Sequence, residues 1–307
     1  MLSLIHPDVR NCVALLREEF QRNEPFHHVV MDRLLDPAFC ERLMAEFPAF
    51  DARKAVNELG EAGRKAVVTD IARIGPACAQ FDRLMRDREF LTLVGEIAGI
   101  ANLVYDPEYI GGGTHENLDG QELDPHVDFN YHPNRPLHRR LNLVVFLNPE
   151  WDENWGGCLE LFGDPWGDRD GVRTVAPIAN RAVLFETTEQ SWHGFKRLRL
   201  PDGVSRRSIA VYFYSVDRPF AETAPSHGTV YVPRPLPGHL QAGYTLTDED
   251  AHEMQLLVAR RDAQIRYLYG RELQFAKALS GVMRSPSYRL GRFLTGPARW
   301  LRAKLHS

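Results

Sequence analysis

The chain predicts a mainly β protein, a sandwich or jelly roll, with a helical support before it and a helical extension after it. Two observations point to the β core. Between Leu103 and Ser215, short apolar or alternating runs recur at Leu141 to Leu147, Cys158 to Phe162, Ala182 to Phe185 and Ser208 to Tyr214. Turn formers separate them, at Asn148-Pro149, Gly156-Gly157, Gly163-Asp164-Pro165 and Pro201-Asp202-Gly203. Many short strands punctuated in this way suit a double-layered or closed β fold. A third observation is that the apolar spacing lengthens to a helical period on either side.

In chain order, residues 1–102 read as the helical support. Phe26-His27-His28-Val29-Val30 predicts a short strand. Asp36-Pro37 then forms an N-cap and first-turn pair, because proline at the first helical position sacrifices no backbone bond. Behind it, Phe39, Leu43 and Phe47 share one helical face. A second helix is predicted over Phe81 to Ala98, burying Leu84, Phe90, Leu91, Val94 and Ile97. The polar, Gly-containing stretch between, Asp51 to Lys65, predicts a loop or lid. Residues 103–220 form the β core. Residues 221–307 comprise a Pro-rich connector (Pro233 to Pro237), a long helix and a basic tail. Thr247 and Asp250 open that helix in a capping-box spacing, and Leu256, Leu257, Val258, Ile265 and Leu268 supply its apolar positions.

Composition bounds the function. With 307 residues, the chain is long enough to bury a sizeable core. A net charge of −4 gives no electrostatic argument for a nucleic-acid partner. Cys12, Cys40, Cys78 and Cys158 are widely spaced and form no CxxC pair, so they read as buried or free thiols in a reducing compartment. The opening residues lack the basic and apolar regions of a signal peptide, and no window is apolar enough to span a bilayer. The expected address is cytoplasmic.

The chemistry concentrates in His126-Val127-Asp128, answered by His193 and then by Arg206-Arg207-Ser208. A strand directs residues two apart to the same face, so His126 and Asp128 would point together. In a jelly roll, distant segments converge at one open end, where His193 would join them. Two imidazoles and a carboxylate cap one face of a ferrous ion and leave the other face open. The pattern alone is short enough to arise by chance, and a lone buried histidine is more often a hydrogen-bonded core residue. Arg206 and Ser208 likewise alternate along a strand. A guanidinium fork with a hydroxyl beside it suits a carboxylate, although an Arg-Arg pair is equally a surface feature making weak salt bridges.

The span from His138 through Arg139-Arg140-Leu141-Asn142 and Trp151-Asp152 to Gly156-Gly157 and Phe162 resembles the core of the prolyl-hydroxylase-type 2-oxoglutarate/Fe(II)-dependent dioxygenases. The upstream HxD, and the downstream histidine followed by an Arg-rich strand, complete the order. The resemblance covers about residues 104–215. It implies a double-stranded β-helix, with Fe(II), 2-oxoglutarate and O2, and ascorbate as an optional reductant. It implies hydroxylation of an unactivated C–H bond, with decarboxylation of 2-oxoglutarate to succinate. His126, Asp128 and His193 become the metal ligands, and Arg206 with Ser208 the grip on the distal carboxylate. Where such relatives often carry a tyrosine, this chain has Phe146; the resemblance then implies either that Ser208 or Asn142 takes over that hydroxyl's task or that 2-oxoglutarate is held more weakly.

The family likeness makes a protein or peptide prolyl side chain one candidate substrate. The tail from Arg284 to Ser307 mixes Arg289, Arg292, Arg299, Arg302 and Lys304 with Tyr288, Phe293 and Trp300 and has no acid. That mixture suggests peripheral contact with the inner face of a membrane. Its similarity to tails of bacterial surface-polysaccharide enzymes adds a cell-envelope glycan as the other substrate candidate. His115, His132 and His138 flank HxD as candidate site contacts or satisfied loop residues. Trp151, Trp155, Trp166 and Trp192 offer either core packing or a platform for a sugar or proline ring. The rival classes are a cupin-like metal-dependent isomerase or hydrolase, and a non-catalytic binding module on the same fold. The first needs no clamp of Arg206 and Ser208, and the second need not retain His126, Asp128 and His193 together.

Overall fold

A computed structural model describes residues 1–51, 65–166 and 171–305, with side chains left undescribed at 65 and 296–305. The helices are α1 (Pro7–Asn11), α2 (Val13–Arg22), α3 (Pro37–Ala45), α4 (Pro76–Met85), α5 (Arg88–Ala98), α6 (Asp248–Arg284) and α7 (Pro286–Leu305). The strands are β1 (His28–Met31), β2 (Lys65–Val68), β3 (Val104–Tyr105), β4 (Gly113–Asn117), β5 (Leu123–Val127), β6 (His138–Phe146), β7 (Leu159–Phe162), β8 (Arg173–Val175), β9 (Ala182–Glu186), β10 (Trp192–Phe195), β11 (Arg206–Ser215) and β12 (Val230–Tyr231). The chain divides into two compact units, Met1–Val232 and Pro233–Ser307.

In the first unit, β1-β9-β6-β11-β4-β2 form one sheet, with β3 also paired to β11. β12-β5-β10-β7-β8 form the other. Neighbouring strands are antiparallel, as in a jelly roll, and the chain crosses from one sheet to the other as it leaves β5 for β6 and β6 for β7. Both edge strands of the larger sheet, β1 and β2, come from the N-terminal region. That region is therefore part of the β core as well as its helical support.

Strand alternation sorts the larger sheet into two faces. Leu141, Leu143, Val145, Leu184, Ile209, Val211 and Phe213 pack with the N-terminal helices in one apolar cluster. Phe146, Val183 and Phe185 face the smaller sheet and meet Leu159, Leu161 and Val175. Asn142, Arg206 and Ser208 share the parity of this inner face, so the face between the sheets carries the polar groups.

Local chemistry sets the helix boundaries. The Asp36 side chain accepts from the Phe39 amide at 3.0 Å, as its position before Pro37 predicts. The single helix expected over Phe81 to Ala98 is two helices. Asp87 leaves helical backbone, and its carboxylate accepts from the Phe90 amide at 3.3 Å, capping α5. Periodicity carries through such a break, so apolar spacing alone reads the pair as one. Most of the expected loop or lid, residues 52–64, lies outside the described residues.

In the second unit, Thr247 and Asp250 make the reciprocal capping box that opens α6. His239 and Tyr244 also bond to Asp250, at 2.8 and 2.9 Å. Among the described residues no helix is long and apolar enough to cross a membrane.

Candidate metal centre

His126 on β5 and His193 on β10 are direct cross-strand partners in the smaller sheet. Antiparallel pairing places opposed side chains on the same face, so the register explains how residues distant in sequence meet. Their ring centroids are 4.2 Å apart. Asp128 follows β5, two residues beyond His126. Its Oδ1 lies 3.8 Å from His126 Nε2, and its Oδ2 lies 3.5 Å from His193 Nε2. One donor atom from each of the three residues lies within 4.8 Å of the others, and all three residues are buried.

The protonation pattern fits a cation. His126 Nδ1 donates to the Asp124 carbonyl at 3.0 Å, and His193 Nδ1 donates to the Ser191 carbonyl at 2.9 Å. A carbonyl can only accept, so each Nδ1 carries a proton and each Nε2 is the nitrogen turned towards Asp128. Burial, reinforced by His126, holds His193 down to about 4, so it is neutral near pH 7. Burial alone would raise the Asp128 pKa, but Arg139, both histidines and the Asn142 amide together hold it well below the usual carboxylate range. Two imidazoles and a carboxylate are the donor set for a divalent first-row metal. Among the described residues no further His, Cys, Asp or Glu joins the group.

Arg139 and Asn142 hold the carboxylate. Arg139 Nη2 donates to Asp128 Oδ2 at 2.8 Å, and Asn142 Nδ2 donates to the same oxygen at 2.7 Å. Asp128 Oδ1 is left without a hydrogen bond among the described residues. Arg139 Nε also donates to Asn142 Oδ1 at 2.9 Å, and Thr187 adds a weaker bond to that oxygen. The Arg139 guanidinium is fully buried, with Tyr212 and Phe129 rings against it. Asn142 thus orients the Asp128 carboxylate, spending Oδ1 and one Nδ2 hydrogen and keeping the second Nδ2 hydrogen.

Sequence reasoning missed Arg139, and the reason is a bulge. Asn142 pairs with Tyr212 and Leu141 with Phe213, but Tyr214 pairs with Arg139, so Arg140 is an extra residue on β6. Such an insertion re-aims the side chains beyond it. Arg139 thereby joins the inner face of Asn142, while Arg140 reaches Ser215, Asp217 and Glu222. The signal in the sequence was two adjacent arginines at the start of an otherwise apolar strand.

Arg206 starts β11 and is buried on the inner face. Its Nε donates to the Gly157 carbonyl at 2.7 Å, and its guanidinium lies 4.4 Å from the Phe195 ring centroid and 5.2 Å from that of Phe146. No carboxylate among the described residues pairs with it. Burial lowers it to about 10, which still leaves it charged at neutral pH. Phe195 is two residues beyond His193 on β10, so Arg206 lies beside the strand that carries His193. Ser208 is buried two residues along, opposite Phe146 in the sheet register, and its hydroxyl makes no hydrogen bond among the described residues. Phe146 therefore supplies a ring beneath the guanidinium where a tyrosine would have supplied a hydroxyl. Gly157 has φ +65°, and a Cβ there would collide with Leu198 and crowd the Arg206 side chain. The glycine pair does bring backbone close to the site.

Other expected contacts lie elsewhere. His132 is buried and bonded to Asp106, which also caps the turn at Glu108 and Ile110. The Asp106-Glu108-His132 cluster is thereby satisfied internally, with Glu108 paired to Arg135. His138 packs on Tyr131. Trp192 packs with Val127, Phe162 and Val232, on the face of β10 opposite His193, and Trp166 lies edge-on to it. Trp151 donates to the Gly156 carbonyl. Trp192 is thus a packing residue and Trp151 a turn residue, whereas Trp166 is 70% exposed. The rings beside the candidate site are Tyr231 on β12, stacked on His126 at 5.1 Å, and Phe185 on β9, 4.8 Å from His193.

Residues 113–214 match the family model of the 2OG-Fe(II) oxygenase superfamily. The chain is 34% identical over 85 residues to Prolyl 3-hydroxylase OGFOD1 of Xenopus laevis, covering 26% of this chain and 16% of that protein. It is 28% identical over 117 residues to its Mus musculus counterpart, covering 33% and 21%. The matches thus span about a fifth or less of these relatives. Among solved structures, a prolyl 4-hydroxylase from Phytophthora capsici aligns over 98% of this chain and 94% of its own, at 16% identity and a TM-score of 0.48.

Proposed function

Because residues 113–214 carry the 2OG-Fe(II) oxygenase core, we propose that this chain is an Fe(II)- and 2-oxoglutarate-dependent hydroxylase. His126, Asp128 and His193 would hold the metal. The observation that carries the cosubstrate assignment is Arg206: a charged guanidinium buried without a carboxylate partner is costly, and a bound dicarboxylate would remove that cost. Such a partner would accept from the guanidinium and from the Ser208 hydroxyl. A cupin-like isomerase, a hydrolase or a binding module needs no such grip.

When bound, Fe(II) with O2 and 2-oxoglutarate supplies the oxidation, inserting one oxygen atom into a C–H bond as 2-oxoglutarate becomes succinate and CO2. The chain does the rest. Asn142 and Arg139 fix the Asp128 carboxylate through Oδ2 and leave Oδ1 for the metal. The Asp124 and Ser191 carbonyls fix both histidine tautomers. Supports of this kind are usually worth about 10–100-fold in metal affinity. Phe146, Phe185 and Phe195 give the inner face an apolar lining that limits water.

The substrate class we propose is a prolyl residue in a protein or peptide. The OGFOD1 relatives support it, and Tyr231 offers an aromatic face beside the metal ligands against which a pyrrolidine ring packs. The test is succinate release in the presence of Fe(II), 2-oxoglutarate and a panel of proline-containing peptides and saccharides, with mass spectrometry of the acceptors. A gain of one oxygen on proline, absent in Asp128→Ala, supports the reading. Hydroxylation of a sugar alone overturns the substrate class. No succinate, with or without an acceptor, overturns the activity.

A further inference from the structure

We propose that α6 pairs with α6 of a second copy of this chain, forming an antiparallel coiled coil. The helix is 37 residues long, about 55 Å at 1.5 Å per residue. Leu257 is its only buried apolar side chain among the described residues. Val258, Ile265, Leu268, Phe275, Leu279 and Val282 are each 46–63% exposed. A helix this long with so much apolar surface needs a partner.

The spacing of those residues defines the partner. They occupy the two seam positions of a repeat of seven, the period that keeps one stripe facing another helix. The seam positions they skip are Arg261 and Glu272, a cation and an anion. In a parallel, in-register pair, Arg261 would face Arg261 and Glu272 would face Glu272, which is repulsive. In an antiparallel pair centred between Ile265 and Leu268, each Ile265 meets the second copy's Leu268. Each Val258 then meets Phe275, and each half-buried Met254 meets Leu279. The same register sets each Arg261 against the second copy's Glu272. The only two charged seam residues in this stretch thus neutralise one another, and only in this orientation. Arg261 spends one N–H on the Arg234 carbonyl and keeps four for a carboxylate.

Charge balance argues against a lipid surface as the occupant. The helix carries six acidic and six basic side chains, whereas helices that lie on anionic membranes are rich in Lys and Arg on their polar face.

The experiment is sedimentation equilibrium of the full-length chain at several concentrations, with circular dichroism to confirm folding. Wild type should sediment as a dimer. Arg261→Glu and Glu272→Arg, each made alone, set like charges face to face at two layers and should weaken association at least about 100-fold. In a mixture of the two variants, the seam with two acids in one faces the seam with two bases in the other, which should restore a dimer. A monomeric wild type overturns the proposal, whether or not it pellets with anionic vesicles. So does a dimer indifferent to the single reversals, or a mixture that stays monomeric.

Discussion

Replacing Arg139 with methionine tests whether the buried ion pair at the metal centre is real. Methionine keeps much of the packing between Phe129 and Tyr212 but removes the donor at 2.8 Å from Asp128. Asp128 would then be a buried carboxylate with the Asn142 amide in place of a countercharge. Breaking a buried pair from one side costs about 3–5 kcal/mol. For a unit of this size, that lowers the melting temperature by about 6–20 °C. Differential scanning calorimetry of the metal-free protein reads this directly. A melting temperature within about 2 °C of wild type, about 1 kcal/mol or less, would refute the reasoning.

Arg206→Met should behave oppositely in the metal-free protein, leaving stability unchanged or higher, since it removes a buried cation that has no carboxylate partner. It should raise the 2-oxoglutarate concentration for half-maximal turnover at least about 100-fold, the worth of two charge-assisted hydrogen bonds at about 1.5 kcal/mol each. Asn142→Ala should weaken metal binding about 10–100-fold by calorimetric titration, with a smaller effect on 2-oxoglutarate once the metal is saturating. For pH, His193 is depressed from 6.5 to about 4 in the folded chain. The unfolded chain therefore binds the extra proton in that window, so metal-free stability should fall as pH drops from 6.5 towards 4. Asp128, also depressed, should add to the loss below its ordinary value of 3.8. Unfolding titrations across about pH 4–7 on wild type and His193→Gln check the sign, and the slope should flatten in the variant.

Residue spacing made the donor set legible. Same-face alternation placed His126 with Asp128, and the strand pattern put His193 within reach, although their direct cross-strand pairing is a register that no local pattern reveals. Arg206 was ambiguous because a buried unpaired arginine and an exposed one read alike in sequence. Arg139 was hidden by a one-residue bulge that exchanges the faces of two adjacent arginines. β4, GTHEN, escaped notice because it is short and polar, and the start of β5, LDPHV, was hidden by its proline although His126 was read as lying on a strand. The break at Asp87 was masked because apolar spacing continues across it. Local chemistry decided the caps at Asp36 and at Thr247 with Asp250, and those were readable.

The most direct test of the central claim is an anaerobic titration of Fe(II) and 2-oxoglutarate into the metal-free protein, followed by visible absorption. If His126, Asp128 and His193 hold the ion and leave adjacent positions for the cosubstrate, a weak charge-transfer band should grow to one equivalent. It should be absent in Asp128→Ala and require more 2-oxoglutarate in Arg206→Met. A correctly folded wild-type protein that binds Fe(II) and shows no such band at any 2-oxoglutarate concentration would contradict the account.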